Sequence, residues 1–180
     1  MKSKKQLVYD ALQIAKENVA LPEILYFSLE KGEYLAILYQ ADQDIVKIAI
    51  CFMDIKLQEA KKQGDIKNHV KMASSFAKKF LKEYDITNEE YNKIINSIEA
   101  HHGKVPYTCI ESEICANADC YIFIHPRGVF SYLNLLAKRN MSLQEQIEQL
   151  KNKLEEKYTI LTLDYAKKEL EKYHQMFLLL

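Results

Sequence analysis

The sequence has few residues that interrupt regular structure, with four glycines, three prolines and no tryptophan among its 180 residues. Sandwiches of short β-strands need frequent turns, and turns are built mainly from glycine and proline. The scarcity of these two residues therefore disfavours an all-β sandwich.

The chain also lacks an excess of either charge and any long apolar run. Lysine plus arginine and aspartate plus glutamate number 25 each, so net charge gives no reason to expect nucleic acid or an anionic membrane as a partner. Runs such as "YIFI" and "FLLL" are too short to span a bilayer. The N-terminus "MKSKKQLVYD" has no apolar signal region, and we expect a soluble, cytoplasmic protein.

No Cys-x-x-Cys pair occurs among the four cysteines, which makes a zinc site built on thiolates a weak alternative. We expect the thiols to be reduced, as in other cytosolic proteins. The cysteines are Cys51, Cys109, Cys115 and Cys120.

Helical periodicity of apolar residues runs through nearly the whole chain and predicts an all-α fold. Two capping boxes, "TNEE" at 87–90 and "SLQE" at 142–145, each predict a helix start. Pro22 limits the first helix, and Gly64 and Gly103 are expected breaks. The later helices are predicted at about 28–40, 42–64, 67–84, 88–102, 110–123 and 128–139, then from 142 through at least Leu154, and at 163–178.

A chain with 48% hydrophobic residues can bury a full core, and no repeat, low-complexity tract or linker divides it. We therefore predict one domain over residues 1–180. Its core is expected at about 20–140, with the C-terminal helices, about 141–180, as an extension.

Three of the five histidines fall on apolar helix faces. On the helix that starts at 88, the buried stripe continues by three and four residues from Ile98 to His101 and His102. His69 shares a helical face with Ala73 and Phe76. His125, in a turn, and His174, near the C-terminus, are interpreted as ordinary residues.

Two aspartates, Asp54 and Asp119, lie among apolar neighbours in "IAICFMDI" and "ICANADCYIFI". A buried carboxylate without a partner costs several kcal/mol, so each needs a partner or a proton. A divalent cation (Mn, Fe, Ni, Zn or Mg) would satisfy carboxylates and imidazoles together. Each residue also has a simpler interpretation, because a single inward histidine is usually a hydrogen-bonded core residue and a single aspartate usually a cap or an ion pair. The candidate metal ligands are Asp54, His69, His101, His102 and Asp119.

These residues resemble the HD-domain superfamily of metal-dependent phosphohydrolases, whose pattern is His, His-Asp and a later Asp, with further histidines in two-metal members. "AICFMDI" is similar to the helix that carries the His-Asp pair. "NHVKMASSFAKKFLKEYDITNEEYNKIINSIEAHH" resembles the following pair of helices, and "ESEICANADCYIFIH" the helix of the last aspartate. The resemblance covers about 20–180 and implies an HD-domain-like helical bundle with a C-terminal helical extension.

The sequence departs from this pattern at two positions. Met53-Asp54 stands where the family has His-Asp, and Ser28 stands near the position of the first histidine. The resemblance therefore implies that the first metal keeps only two carboxylates, from Asp54 and Asp119. Asp54 with His69, His101 and His102 would supply the other metal.

The resemblance implies a metal-dependent phosphohydrolase with a reduced metal site, acting on a small phosphorylated molecule or a nucleotide. The alternative is a catalytically inactive HD module that binds a ligand or a protein partner. No specific nucleic-acid binding and no membrane partner are indicated, and homo-oligomerisation stays open. No catalytic side chain is assigned.

Overall fold

The structure is a computed structural model that describes all 180 residues as ten α-helices and two short 3₁₀ turns, without β-strands. The all-α prediction is confirmed. The helices are α1 (Lys4–Asn18), α2 (Pro22–Leu38), α3 (Gln43–Met53), α4 (Leu57–Lys62), α5 (His69–Phe80), α6 (Asn88–Ala100), α7 (Ile110–Ile124), α8 (Pro126–Ala137), α9 (Leu143–Tyr158) and α10 (Asp164–Phe177).

The local signals at several helix ends act as predicted. Thr87 and Ser142 each accept a hydrogen bond from the backbone of a glutamate three residues on, and that glutamate bonds back to the cap. Pro22 occupies the first turn of α2, where no backbone N–H is needed, so α2 starts six residues before the predicted start at 28. Gly103 adopts a positive φ of 68° just beyond α6.

The predicted third helix, 42–64, is wrong in extent. The structure ends α3 at Met53 and starts α4 at Leu57. Asp54 has φ −116° and ψ 13°, outside the α-helical region. No glycine or proline marks this interruption, which places the Asp54 carboxylate beside the histidines described below.

The central element is α7, whose side chains are almost all buried. It packs against α2, α6, α8 and α9, and more lightly against α3 and α10. Gly128 at the start of α8 allows a close approach, because a Cβ there would lie 2.5 Å from the backbone oxygens of Tyr121 and Ile122. The buried α7 therefore organises the core.

The apolar core extends beyond the predicted residues 20–140. Leu7 and Ala11 of α1 and Leu150 and Leu154 of α9 are fully buried members of the same cluster. The C-terminal helices thus pack into the core instead of extending from it. This packing brings α9 alongside α7 and next to the candidate site.

No helix combines the length and the apolar character needed to cross a membrane.

Candidate metal centre

Four of the five predicted ligands come from helix ends that converge at one point. Asp54 follows α3, His69 is the first residue of α5, and His101 and His102 follow the last residue of α6. Their candidate donor atoms all lie within 4.8 Å of one another. The structure thus forms a carboxylate and imidazole cluster from residues spread over three segments.

The separations inside the cluster suit the coordination sphere of a metal ion. His69 Nε2 and His101 Nε2 lie 3.3 and 3.9 Å from Asp54 Oδ1, and His69 Nε2 lies 3.0 Å from His102 Nε2. Donors about 2.0–2.2 Å from a common ion are spaced by roughly 3–4 Å. The chemistry of the set, neutral nitrogens with one carboxylate, suits a divalent transition metal.

A buried nitrogen without a partner points to the same conclusion. His101 is fully buried, and its Nε2 has no hydrogen-bond partner, although it faces Asp54. Buried polar atoms are nearly always satisfied in folded proteins. An ion in this cluster would satisfy His101 Nε2.

Electrostatics keeps the carboxylate charged and favours a proton on one histidine. Burial raises the pKa of Asp54, but the hydrogen bond with His69 and the electrostatic interactions with the imidazoles of the cluster outweigh it, and the net shift is downward. Burial lowers the pKa of His69. The hydrogen bond with Asp54 and the negative charge of Asp54 outweigh the effect of burial, so the net shift of the pKa is upward. His69 is therefore the position at which a proton competes with a metal ion.

The adjacent histidines stay neutral. Burial lowers the pKa of His101, and it lowers that of His102 to about 2, with further contributions from His101 and from the Lys157 ammonium. Neutral imidazole is the form that can bind a metal.

The fifth predicted ligand, Asp119, is not part of the cluster. Its Oδ2 accepts a hydrogen bond from Lys157 Nζ at 2.5 Å, and both side chains are almost completely buried. Burial lowers the pKa of Lys157, but Asp119 outweighs this effect and raises it, so the pair is an ion pair. Lys157 Nζ also lies 2.9 Å from His102 Nδ1. Asp119 is thus connected to the cluster through Lys157.

Sequence reasoning missed Lys157, although a signal for it existed. The spacing Leu150, Leu154, Lys157 follows the buried stripe of α9, so the lysine falls on the apolar face. Lysines in such a charged helix usually lie on the solvated face, which is why the position did not stand out.

Ser28 and Met53, the two departures from the family pattern, both line the same cavity as Asp54 and Asp119. Both are buried, and Ser28 Oγ has no hydrogen-bond partner. The positions at which the family pattern has the first-metal residues thus line one cavity, and the cation that contacts Asp119 there is Lys157.

The cluster lies in an open cavity of about 1420 Å³ whose wall carries more cationic side chains than carboxylates. Lys61 is half-buried with no ion-pair partner. Burial lowers its pKa, and the charges of Arg139 and Lys153, which line the same cavity, lower it further. The wall thus combines apolar surface with an excess of positive charge, a suitable environment for an anionic organic molecule.

The remaining histidines and the cysteines lie outside this site. His125 caps α8 by accepting from the backbone N–H of Arg127, and His174 stacks on Tyr158. All four cysteines are free, and no group of cysteines gathers as a metal site.

Comparison with known proteins establishes similarity in fold only. No family model matches this sequence, and no curated protein is significantly similar to it in sequence. Among solved structures, the crystal structure of Bacillus subtilis YpgQ is similar, with a TM-score of 0.65 at 16% sequence identity. The match covers 98% of this chain and 92% of that one, so the similarity includes the C-terminal helices.

Proposed function

We propose that this protein is a metal-dependent phosphohydrolase resembling the HD-domain superfamily, acting on a small phosphorylated molecule or a nucleotide. The observation that carries the proposal is the convergence of Asp54, His69, His101 and His102 within 4.8 Å in an open cavity. Imidazole and carboxylate are the usual ligands of divalent transition metals, and a catalytic site binds the ion through such ligands with a position free for water or substrate.

A bound divalent ion would supply Lewis-acid activation of water and of a phosphate oxygen. The chain's own residues have separate tasks. Asp54, His69 and His101 would bind and orient the ion, and the apolar wall limits access of bulk water. Lys61 and Arg139, which have no carboxylate partner, would supply positive charge for the phosphate groups.

Cation placement supports a phosphorylated substrate. Several cationic side chains on the cavity wall have no carboxylate partner, so their charge is available to an anion. They are Lys61, Lys67, Lys71, Lys104 and Arg139.

The first experiment measures metal content and hydrolysis together. Protein purified without chelator or a metal-affinity tag should contain about one transition metal per chain, and it should hydrolyse some members of a panel of generic phosphate esters and nucleotides. His69→Ala and His101→Ala should lose metal and activity together. His125→Asn is the matched control, because asparagine preserves the helix cap outside the site.

A catalytically inactive binding module is the second candidate, and Met53 and Ser28 favour it because neither side chain replaces a family histidine as a ligand. Metal binding without hydrolysis of any panel member would support this candidate. A folded wild-type protein that binds no Mn²⁺, Ni²⁺ or Zn²⁺ would contradict the metalloenzyme.

The second experiment tests the first-metal site of the family pattern, where Ser28 and Met53 stand in place of histidines. Because the Lys157 ammonium pairs with Asp119, we expect Ser28→His/Met53→His to remain at one metal per chain. Adding Lys157→Gln to this double variant should permit a second metal ion. Two tightly bound ions in the wild type would contradict this assignment.

A further inference from the structure

The three histidines of the cluster differ in what their Nδ1 atoms contact. His69 Nδ1 lies 2.6 Å from the carbonyl oxygen of Ile66, and His101 Nδ1 lies 2.7 Å from that of Ile98. A carbonyl oxygen can only accept, so both Nδ1 atoms carry a proton. In their neutral forms, both rings therefore present an unprotonated Nε2 to the cluster, as a metal ligand requires.

His102 has the opposite arrangement. Its Nδ1 lies 2.9 Å from Lys157 Nζ, whose other partner is the Asp119 carboxylate at 2.5 Å. An ammonium has three donors and no acceptor, so His102 Nδ1 must accept. A neutral imidazole has a single N–H, which then lies on Nε2 and points into the cluster.

We propose that His102 is a hydrogen-bond donor to a substrate oxygen and not a metal ligand, and that Lys157 is the positioning residue that holds His102 in this tautomer. The metal ion is then bound by Asp54, His69 and His101. The substrate part of this inference rests on the proposed function, whereas the tautomer and the ligand assignment do not.

The metal set that remains is chemically sufficient. Two imidazoles and one carboxylate form a common three-ligand site that leaves positions open for water and substrate. With His69 neutral, the 3.0 Å between His69 Nε2 and His102 Nε2 accommodates one proton, and that proton belongs to His102 because His102 Nδ1 accepts from Lys157. Once a metal ion occupies His69 Nε2, the His102 N–H is free for another acceptor.

The location of His102 suits the role of donor. It lines the cavity, whereas His101 is fully buried beneath it. An N–H fixed in a partly buried cavity can stabilise the charge that develops on a phosphate oxygen, and removal of one such donor typically lowers kcat by about 10²–10³-fold.

The first test determines the tautomers by ¹⁵N NMR of histidine-labelled protein loaded with Zn²⁺. We expect His102 to be protonated on Nε2 and unprotonated on Nδ1. His69 and His101 should be protonated on Nδ1 and unprotonated on Nε2. In Lys157→Met the preference at His102 should be lost, whereas Lys153→Met, on the same helix, should leave it unchanged. A His102 ring with Nε2 bound to zinc would overturn the inference.

The second test measures Zn²⁺ affinity by calorimetric titration. His69→Gln and His101→Gln should weaken binding more than 100-fold, and His102→Gln less than tenfold. Equal losses for His101→Gln and His102→Gln would refute the assignment. If a variant fails to fold, the wild-type NMR pattern still decides.

A third measurement separates this inference from the proposed function. On any substrate that the wild type hydrolyses, His102→Gln should lower kcat by about 100-fold or more while the metal content stays at the wild-type level. Absence of hydrolysis in a zinc-loaded wild type would contradict the proposed function alone, because tautomers and affinities are measured without turnover.

Discussion

Replacing Lys157 with methionine should produce one of the largest losses of stability available from a single polar side chain in this protein. Lys157 and Asp119 are 1% and 3% exposed, and their charged atoms lie 2.5 Å apart. Methionine retains an unbranched apolar side chain but removes the ammonium, which leaves the Asp119 carboxylate buried without a cation. Breaking a buried ion pair in this way typically costs about 3–5 kcal/mol.

For a chain of this size, 1 kcal/mol changes Tm by about 2–4 °C, so we expect Lys157→Met to lower Tm by about 6–20 °C. Urea unfolding followed by circular dichroism gives the free energy directly. A chelator must be present, because a metal ion beside Asp119 could replace the lost charge. The matched control is Lys153→Met, which removes an exposed ion pair with Glu156 and should cost about 1 kcal/mol or less.

A second substitution distinguishes charge burial from loss of packing. Asp119→Asn in the Lys157→Met background removes the unpaired charge and should restore a large part of the lost stability. The reasoning is refuted if Lys157→Met costs less than about 1 kcal/mol, or if the added Asp119→Asn restores nothing.

Three further predictions concern acid, metal and packing. Hydrogen bonds from Tyr84 and other partners lower the pKa of Asp10 to about 2. The ionised carboxylate therefore stabilises the fold fully above pH 3.8, and this stabilisation is lost as the pH falls towards 2. When the free energy of unfolding is measured against pH, Asp10→Asn should be less stable than wild type at pH 6, and the two should converge near pH 2. A difference in unfolding free energy that stays constant with pH would argue against the interaction of Asp10 with Tyr84. Free Zn²⁺ at about 100 times its Kd should raise the free energy of unfolding by about 2.7 kcal/mol in calorimetry, and His101→Ala should abolish the effect. Gly128→Ala should destabilise the protein in urea, although helix propensity favours alanine by about 1 kcal/mol, because the new Cβ would lie 2.5 Å from the oxygens of Tyr121 and Ile122; a stabilised variant would contradict the packing argument.

The fold class was predictable because helix periodicity and capping are local properties. The capping boxes at Thr87 and Ser142 are recognisable within four residues, and both form. The end of α3 was not predictable in this way, since Asp54 leaves the helix where no local breaker stands. Its conformation accompanies contacts with His69 and His101, which are distant in sequence.

The candidate site was predictable to the extent that its residues share inward helix faces. Spacing alone places His69, His101 and His102 on inward faces, and the structure brings them together with Asp54. Asp119 was predicted as a metal ligand, but its carboxylate contacts Lys157, a residue on a helix that sequence reasoning treated as an extension. Which partner satisfies a buried charge depends on packing between remote helices, and one sequence does not specify that packing.

The ion pair between α7 and α9 also affects the order in which the protein acquires its structure during synthesis. Lys157 follows Asp119 by 38 residues, a delay of roughly 2–8 s at typical rates of translation. During that interval the nascent chain already contains α1 to α7, but the carboxylate at the centre of α7 has no cation to pair with. Stable burial of α7 before α9 is made would carry the cost of an uncompensated charge. The newly made helices are therefore expected to stay loosely packed, and accessible to chaperones, until α9 is available to dock.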